Sequence, residues 1–363
     1  MTEGYLILEN GMVFGGQLFG FECEAIGELV FSTGTTGYMQ TLTDPRYYGQ
    51  IVLQTFPLIG NYGVIAEEKR SPDVRLKAYI VRQWCQEPSN FRSEGDLDTF
   101  LRLNKIPGLS GVNTRALTRV IRDNGAMNAM ISFNRELSKE QKDALAGYQI
   151  KDAIEACASA PPGTFDGRYA RAVFPFGDAR NERNFNVALW DFGDTSEAIR
   201  ILGSFGCAPF VYGYGMTAGD ILSNKPDGIV LSDGPGGIYD YSRIAGEIEK
   251  LCYEGVPIFG IGLGHQLLAL ARGAETTKLP FGHRGANQPV RETGTGRLLI
   301  TKQNHGCAVF AGSLPESAQM SYVNLNDGTC EGIDYKDIPA FSVQFDPDEN
   351  VFDRFIRAME EIR

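Results

Sequence analysis

Short apolar runs separated by glycine open the chain. Tyr5–Leu8, Met12–Phe14 and Glu28–Phe31 read as strands joined by Gly-rich turns. A helical pattern follows over Asp96–Asn104, carried by Leu97, Phe100, Leu101 and Leu103. A second helix is expected over Thr114–Asp123, with Asn113 or Thr114 as its cap and Asn124-Gly125 as its stop. Residues 137–185 change character. Lys139–Leu145 and Lys151–Ala158 are short helical patterns, Ala160-Pro161-Pro162-Gly163 cannot extend a helix, and Phe174–Phe185 is polar with Pro175 and Gly177. From Asn186 onward, apolar strands alternate with helices. Val187–Trp190, Pro209–Tyr212, Gly228–Leu231 and Pro257–Ile261 read as buried strands, and Thr195–Phe205 reads as a helix ended by Gly206. Such alternation predicts an α/β fold with a mostly parallel sheet and a site at the carboxyl ends of its strands. The expected organisation is a mixed α+β domain at 1–136, a linker at 137–183 and an α/β domain at 184–363.

Composition narrows the function classes. The 363 residues are 43% hydrophobic and 22% charged, an ordinary globular balance. A net charge of −11 argues against a broad basic face for nucleic acid and against docking on anionic lipid. The most apolar stretch, Val256–Leu270, holds His265 and Gln266 and falls short of a membrane span. Residues 1–10 have no basic start and no long apolar core, so a cytoplasmic location is expected. The seven cysteines are scattered and form no CxxC pair, so neither a disulfide framework nor a metal site is expected.

Four segments in the second half suggest chemistry: Leu231-Ser-Asp-Gly-Pro-Gly-Gly237, Gly260-Ile-Gly-Leu-Gly-His-Gln266, Gln303-Asn-His-Gly306 and Phe341-Ser-Val-Gln-Phe-Asp-Pro-Asp348. Singly, each has an ordinary explanation. A strand, a Gly-rich turn and a helix are common in α/β domains, His265 alone suits a core position, and Asn304-His305 alone suits a turn. Together and in this order they resemble class I (triad-type) glutamine amidotransferases, in which a strand leads through G-I-C-L-G-H-Q into a helix. The resemblance implies a thiolate at the strand-to-helix corner, an oxyanion hole of neighbouring backbone N–H groups, and a triad completed by His and Glu of H-P-E.

The first half narrows the resemblance. Phe31-Ser-Thr-Gly-Thr-Thr-Gly-Tyr38, Leu42-Thr-Asp-Pro45, Phe56-Pro-Leu-Ile-Gly-Asn61, Ser89-Asn-Phe-Arg92 and Asn113-Thr-Arg-Ala-Leu-Thr-Arg119 resemble the N-terminal domain of the carbamoyl-phosphate synthetase small chain. Phe281-Gly-His-Arg-Gly-Ala-Asn287 and Gln303-Asn-His-Gly306 are similar to the same family, and the match covers nearly the whole chain. The resemblance implies a large-subunit partner, a place in arginine or pyrimidine biosynthesis, and no cofactor in this chain, ATP and Mg belonging to the large subunit.

Against that pattern stand several departures. Gly262 occupies the nucleophile position, and glycine forms no thioester. Asp346-Pro347-Asp348 replaces H-P-E, and a carboxylate does not match an imidazole as acid and base near pH 7. The loop after it is trimmed, with Glu349 and Asn350 leading directly into Val351–Ile356. Arg46 aligns with a glutamine-contacting serine and Cys307 with an aromatic residue, while Gly234, Gly236, Leu263, Gln266, Asn304 and Gly306 match the family pocket. The three histidines, 265, 283 and 305, all fall on motif positions outside the triad, and Cys252 and Cys307 are the thiols considered as relocated nucleophiles. Three functions remain open: a small chain without glutaminase activity that supports or regulates an ammonia-using large subunit, a stand-alone protein binding a small carboxylate or anion through Arg46, and a glutaminase of unorthodox chemistry.

Overall fold

A computed structural model describes residues 2–158, 165–166, 185–237 and 241–362. The chain folds as two compact units, Met1–Ala153 with Pro280–Ala286, and Ile154–Leu279 with Asn287–Arg363. The first unit thus takes in residues that the sequence reading gave to the linker. The Pro-Pro-Gly break, most of 174–185 and the expected boundary near 184 lie outside the described residues.

The first unit is built on a closed barrel. Glu3–Leu8 pairs with Val13–Gly20, which is followed around the barrel by Pro107–Ser110, Ala78–Ile80, Gln50–Gln54, Ala25–Ser32 and Met127–Ser132, the last pairing back onto Glu3–Leu8. Three consecutive pairings in it are parallel and the rest antiparallel. Alternate strand residues feed two apolar clusters. Val30, Val52 and Tyr79 face one, and Leu29, Ile51, Leu53, Ala78 and Ile80 face the other. Both helices expected here form. Leu97–Leu103 is capped by the Asp96 side chain, and Thr114–Asn124 by the Asn113 side chain, with Gly125 at its end.

Among the described residues, the second unit carries a sheet of ten strands. Five of them, Ala208–Gly213, Asn186–Asp191, Gly228–Leu231, Ile258–Ile261 and Ala340–Val343, are neighbours in that order and parallel. Their residues alternate between two cores. Ala188, Trp190, Ile229, Leu231 and Ile258 meet Leu263, Leu267, Leu268 and Leu251 on one face. Val187, Leu189, Val230, Phe259 and Ile261 meet Ile201, Leu202, Phe352, Phe355 and Ile356 on the other. Two-sided burial explains why these strands read as continuous apolar runs.

Beyond Ala340–Val343 the sheet turns antiparallel, through Cys330–Tyr335, Ala318–Asn324, Thr276–Glu292 and Leu298–Val309. Here the structure departs from the sequence reading: Gln303-Asn-His-Gly306 sits inside the strand Leu298–Val309, not in a turn. Alternate residues of that strand are buried, Thr301, Gln303, His305 and Cys307 among them, so polar side chains satisfied by one another occupy an inward face.

A strand-to-helix corner without a nucleophile

The strand Ile258–Ile261 ends at Gly262, and the helix Leu263–Ala271 starts immediately after it. Gly262 has φ 53° and ψ −107°, a region open to glycine and strained for a residue with a Cβ. Its N–H donates to the Val343 carbonyl at 2.8 Å, and Gly264 N–H donates to the Ser232 carbonyl at 3.0 Å. These two bonds tie the corner to the strands on either side.

The opposing loop follows the strand Gly228–Leu231. Ser232 Oγ accepts from Phe192 N–H at 2.8 Å and donates to the Asp233 carbonyl at 2.8 Å. Asp233 is buried, and its Oδ1 accepts from two backbone donors, Gly234 N–H at 2.7 Å and Leu263 N–H at 2.9 Å. A Cβ on Gly234 would lie 2.0 Å from the Phe192 carbonyl oxygen, so the close approach of these loops requires glycine there. A Cβ on Gly236 would lie 3.8 Å from Gln266 Oε1 and 4.0 Å from Leu263 Cδ1, which puts this second loop glycine beside the helix start.

Gln266, buried on the first turn of that helix, donates through Nε2 to the Cys307 carbonyl at 3.0 Å and to Gln344 Oε1 at 2.9 Å. His305 Nδ1 lies 2.9 Å from the same Cys307 carbonyl and Nε2 lies 3.2 Å from Gln303 Oε1. The loop glycines, Leu263, Gln266 and Cys307 therefore come together. Asn304 and Gly306, on the same strand as Cys307, are half-buried. His265 points elsewhere. Its Nδ1 meets Ser342 Oγ at 2.8 Å, its Nε2 has no hydrogen-bond partner among the described residues, and complete burial pushes its pKa down to about 3. A ring held neutral in this way is a packing element.

Asp346 and Asp348 follow the strand Ala340–Val343. Asp346 N–H donates to the Lys302 carbonyl at 2.9 Å, and its carboxylate lies 3.6 Å from Lys302 Nζ. Asp348 is exposed and starts the final helix, Glu349–Ile362: its Oδ1 accepts from Asn350 N–H at 3.1 Å and Val351 N–H at 3.2 Å. Burial pushes the Cys252 thiol up to about 11, so its nucleophilic thiolate form is disfavoured.

Arg46 belongs to the barrel unit. It is buried, and its fork closes on Asp44, Nε to Oδ1 at 2.9 Å and Nη2 to Oδ2 at 2.8 Å. The charge that the sequence offered to a ligand carboxylate already has a bidentate carboxylate partner in its own turn.

The sequence reading passed over Asp233, Lys302 and Gln344. Asp233 had a visible signal, an acidic side chain in a Ser-Asp-Gly-Pro-Gly turn that has to face a helix start. Gln344 lay inside the Phe341–Asp348 segment but had no role there, and Lys302 had no signal, since it is the bond from Asp346 N–H to its carbonyl that sets it alongside.

The family model for the carbamoyl-phosphate synthase small chain, CPSase domain, matches residues 6–131, and that for class I glutamine amidotransferase matches residues 188–351. The carbamoyl phosphate synthase small chain of Clostridium perfringens is 42% identical over 360 residues, covering 97% of this chain and 98% of that protein. The chain belongs to the carbamoyl phosphate synthase small-chain family. The small chains of Listeria monocytogenes and Syntrophotalea carbinolica are 41% and 40% identical, each over 99% of this chain and over 97% and 99% of their own lengths. The barrel unit holds the small-chain domain and the parallel sheet holds the amidotransferase domain. Among the described residues no helix is long and apolar enough to cross a membrane.

Proposed function

We propose that this small chain no longer hydrolyses glutamine and instead supports or regulates a large subunit that makes carbamoyl phosphate from free ammonia. The observation that carries the reading is Gly262, the residue at the strand-to-helix corner, which has no side-chain atom to attack a carboxamide. Two further features agree with it. Asp346 lies beside Lys302 and cannot do the work of an imidazole. Asp348 is engaged in capping a helix. Nucleotide and magnesium chemistry belong, on this reading, to the large subunit. The bidentate engagement of Arg46 with Asp44 weighs against the stand-alone carboxylate sensor.

The test is co-purification with the cognate large subunit, followed by carbamoyl phosphate assays with glutamine and with ammonia. The reading expects a stable complex at micromolar concentration, product from ammonia and none from glutamine. Losing a triad member typically lowers the rate by about 10⁴. Glutamate release at an ordinary glutaminase rate would refute it, and so would the absence of a complex.

A further inference from the structure

Asp233 occupies a place that matters for acyl chemistry. At a nucleophile corner, the backbone N–H of the residue after the nucleophile is one of the donors that receive a carbonyl oxygen as it becomes an oxyanion. Here that donor is Leu263 N–H, at the start of a nine-residue helix whose positive end favours an anion. Both it and Gly234 N–H, from the loop across the corner, point at one oxygen of the Asp233 carboxylate, at 2.9 and 2.7 Å. The same carboxylate also fills the room at the corner. A Cβ on Gly262 would lie 2.0 Å from Asp233 Oδ1, 2.2 Å from Cγ and 2.5 Å from Oδ2. One buried side chain thus covers both the donor pair and the space beside Gly262.

We infer that Asp233 is the resident anion of this corner: its carboxylate takes the two amides that a reacting carbonyl oxygen would need and fills the space that a side chain at 262 would enter. The inference rests on the loss of glutamine hydrolysis proposed above and explains why that loss does not leave an open hole. Two donors converging on one point attract water or any small oxyanion, whereas a tethered carboxylate is at hand at very high effective concentration. A chain holding its own anion there has no place for the carbonyl oxygen of a carboxamide substrate. The competing explanation is that Asp233 merely shapes its own loop, through the bond to the next residue. In that case the donor pair would have no general affinity for anions.

Anion rescue separates the two. The full-length chain is compared as wild type and as Asp233→Ala, in thermal melts with formate or acetate at constant ionic strength. Asp233→Ala is expected to melt lower than wild type. Formate is expected to recover part of the loss, saturably, by about 2 °C or more, with no saturable gain in wild type. Equal responses of the two proteins, or none in the variant, overturn the inference. A crystal of the wild-type protein soaked in formate keeps the inference testable where the alanine variant does not fold. Asp233 Oδ1 should remain on both amides, and formate between them with Asp233 turned away overturns it. Neither readout depends on glutamine turnover, so a failure here is distinguishable from a failure of the glutaminase proposal.

Discussion

Consider Gly262→Cys, the substitution that places a thiol at the corner. Two costs follow from the geometry. The backbone at φ 53° and ψ −107° is outside the comfortable range of any residue with a Cβ, a strain of about 1–3 kcal/mol. The new Cβ would also stand 2.0 Å from Asp233 Oδ1 and 2.2 Å from its Cγ, so the carboxylate has to swing away and release Gly234 N–H and Leu263 N–H. Hydrogen bonds to a charged group contribute about 1.5–3 kcal/mol each, and water reaching the freed amides recovers part of that. The expected destabilisation is about 3–6 kcal/mol. For a unit of this size that lowers Tm by about 6 °C or more. No activity should accompany the loss of stability, because the thiol would have no imidazole to take its proton. Calorimetric melts give the first readout, and glutamate release with trapping of the glutamyl thioester gives the second. A Gly262→Cys protein that melts within about 1 °C of wild type and forms thioester at a normal rate would refute the reasoning.

Other outcomes follow from the same geometry. Gly264→Ala puts a Cβ 2.2 Å from the Leu231 carbonyl oxygen, where backbone faces backbone, and is expected to yield little soluble protein on expression. Asp44→Ala removes the bidentate partner of buried Arg46 and should cost about 3–5 kcal/mol in urea unfolding. His265 has its folded pKa lowered from 6.5 to about 3, so the unfolded chain binds its proton first. Its share of stability is fully present above pH 6.5 and is lost as pH falls toward 3. At pH 5 the loss is about 2 kcal/mol. Urea midpoints at pH 7.5 and pH 5 should converge more in His265→Gln than in wild type, and equal pH slopes would show that the ring does not stay neutral.

The parts of this molecule that could be read from sequence share a physical cause. Parallel strands buried on both faces spell themselves out as apolar runs, and Gly228–Leu231 matches its expected bounds residue for residue. Caps are local chemistry, so Asn113, one of the two caps the sequence offered, and Gly125 mark their helix. The barrel is different. Its closure joins Glu3–Leu8 to Met127–Ser132 through pairing that no local pattern encodes, and its short strands alternate too briefly to announce a ring. The hairpin strands Thr276–Glu292 and Leu298–Val309 were missed for a related reason. Their inward positions hold Thr301, Gln303 and His305, polar residues that read as a loop until the fold turns them to one face, where they satisfy one another along the strand. Among the candidate residues of each unit, types could be read and engagements could not. Arg46 read as a charge on offer, and only folding places Asp44 against it.

The same division explains how this corner keeps its shape without a side chain at 262. The corner is held by backbone: Gly262 N–H on Val343, Gly264 N–H on Ser232, and glycines where loops touch. None of these contacts needs a side chain at residue 262, and glycine there avoids the strain of a positive φ. The acidic residues downstream carry structural duties of their own. Asp348 caps the Glu349–Ile362 helix, whose Phe352, Phe355 and Ile356 pack into the sheet, so its substitution would reach the core through the helix start. Asp346 lies beside Lys302, a pairing that a neutral imidazole would not provide. Asp346 and Asp348 thus meet stability requirements of their own. On the proposed loss of hydrolysis, single substitutions are expected not to give a working glutaminase: a thiol at 262 conflicts with Asp233, and a base at 346 gives up the lysine contact. Glutamine hydrolysis is expected only when the corner, the loop and the segment after Val343 change together, and glutamate release from Gly262→Cys alone would overturn that expectation.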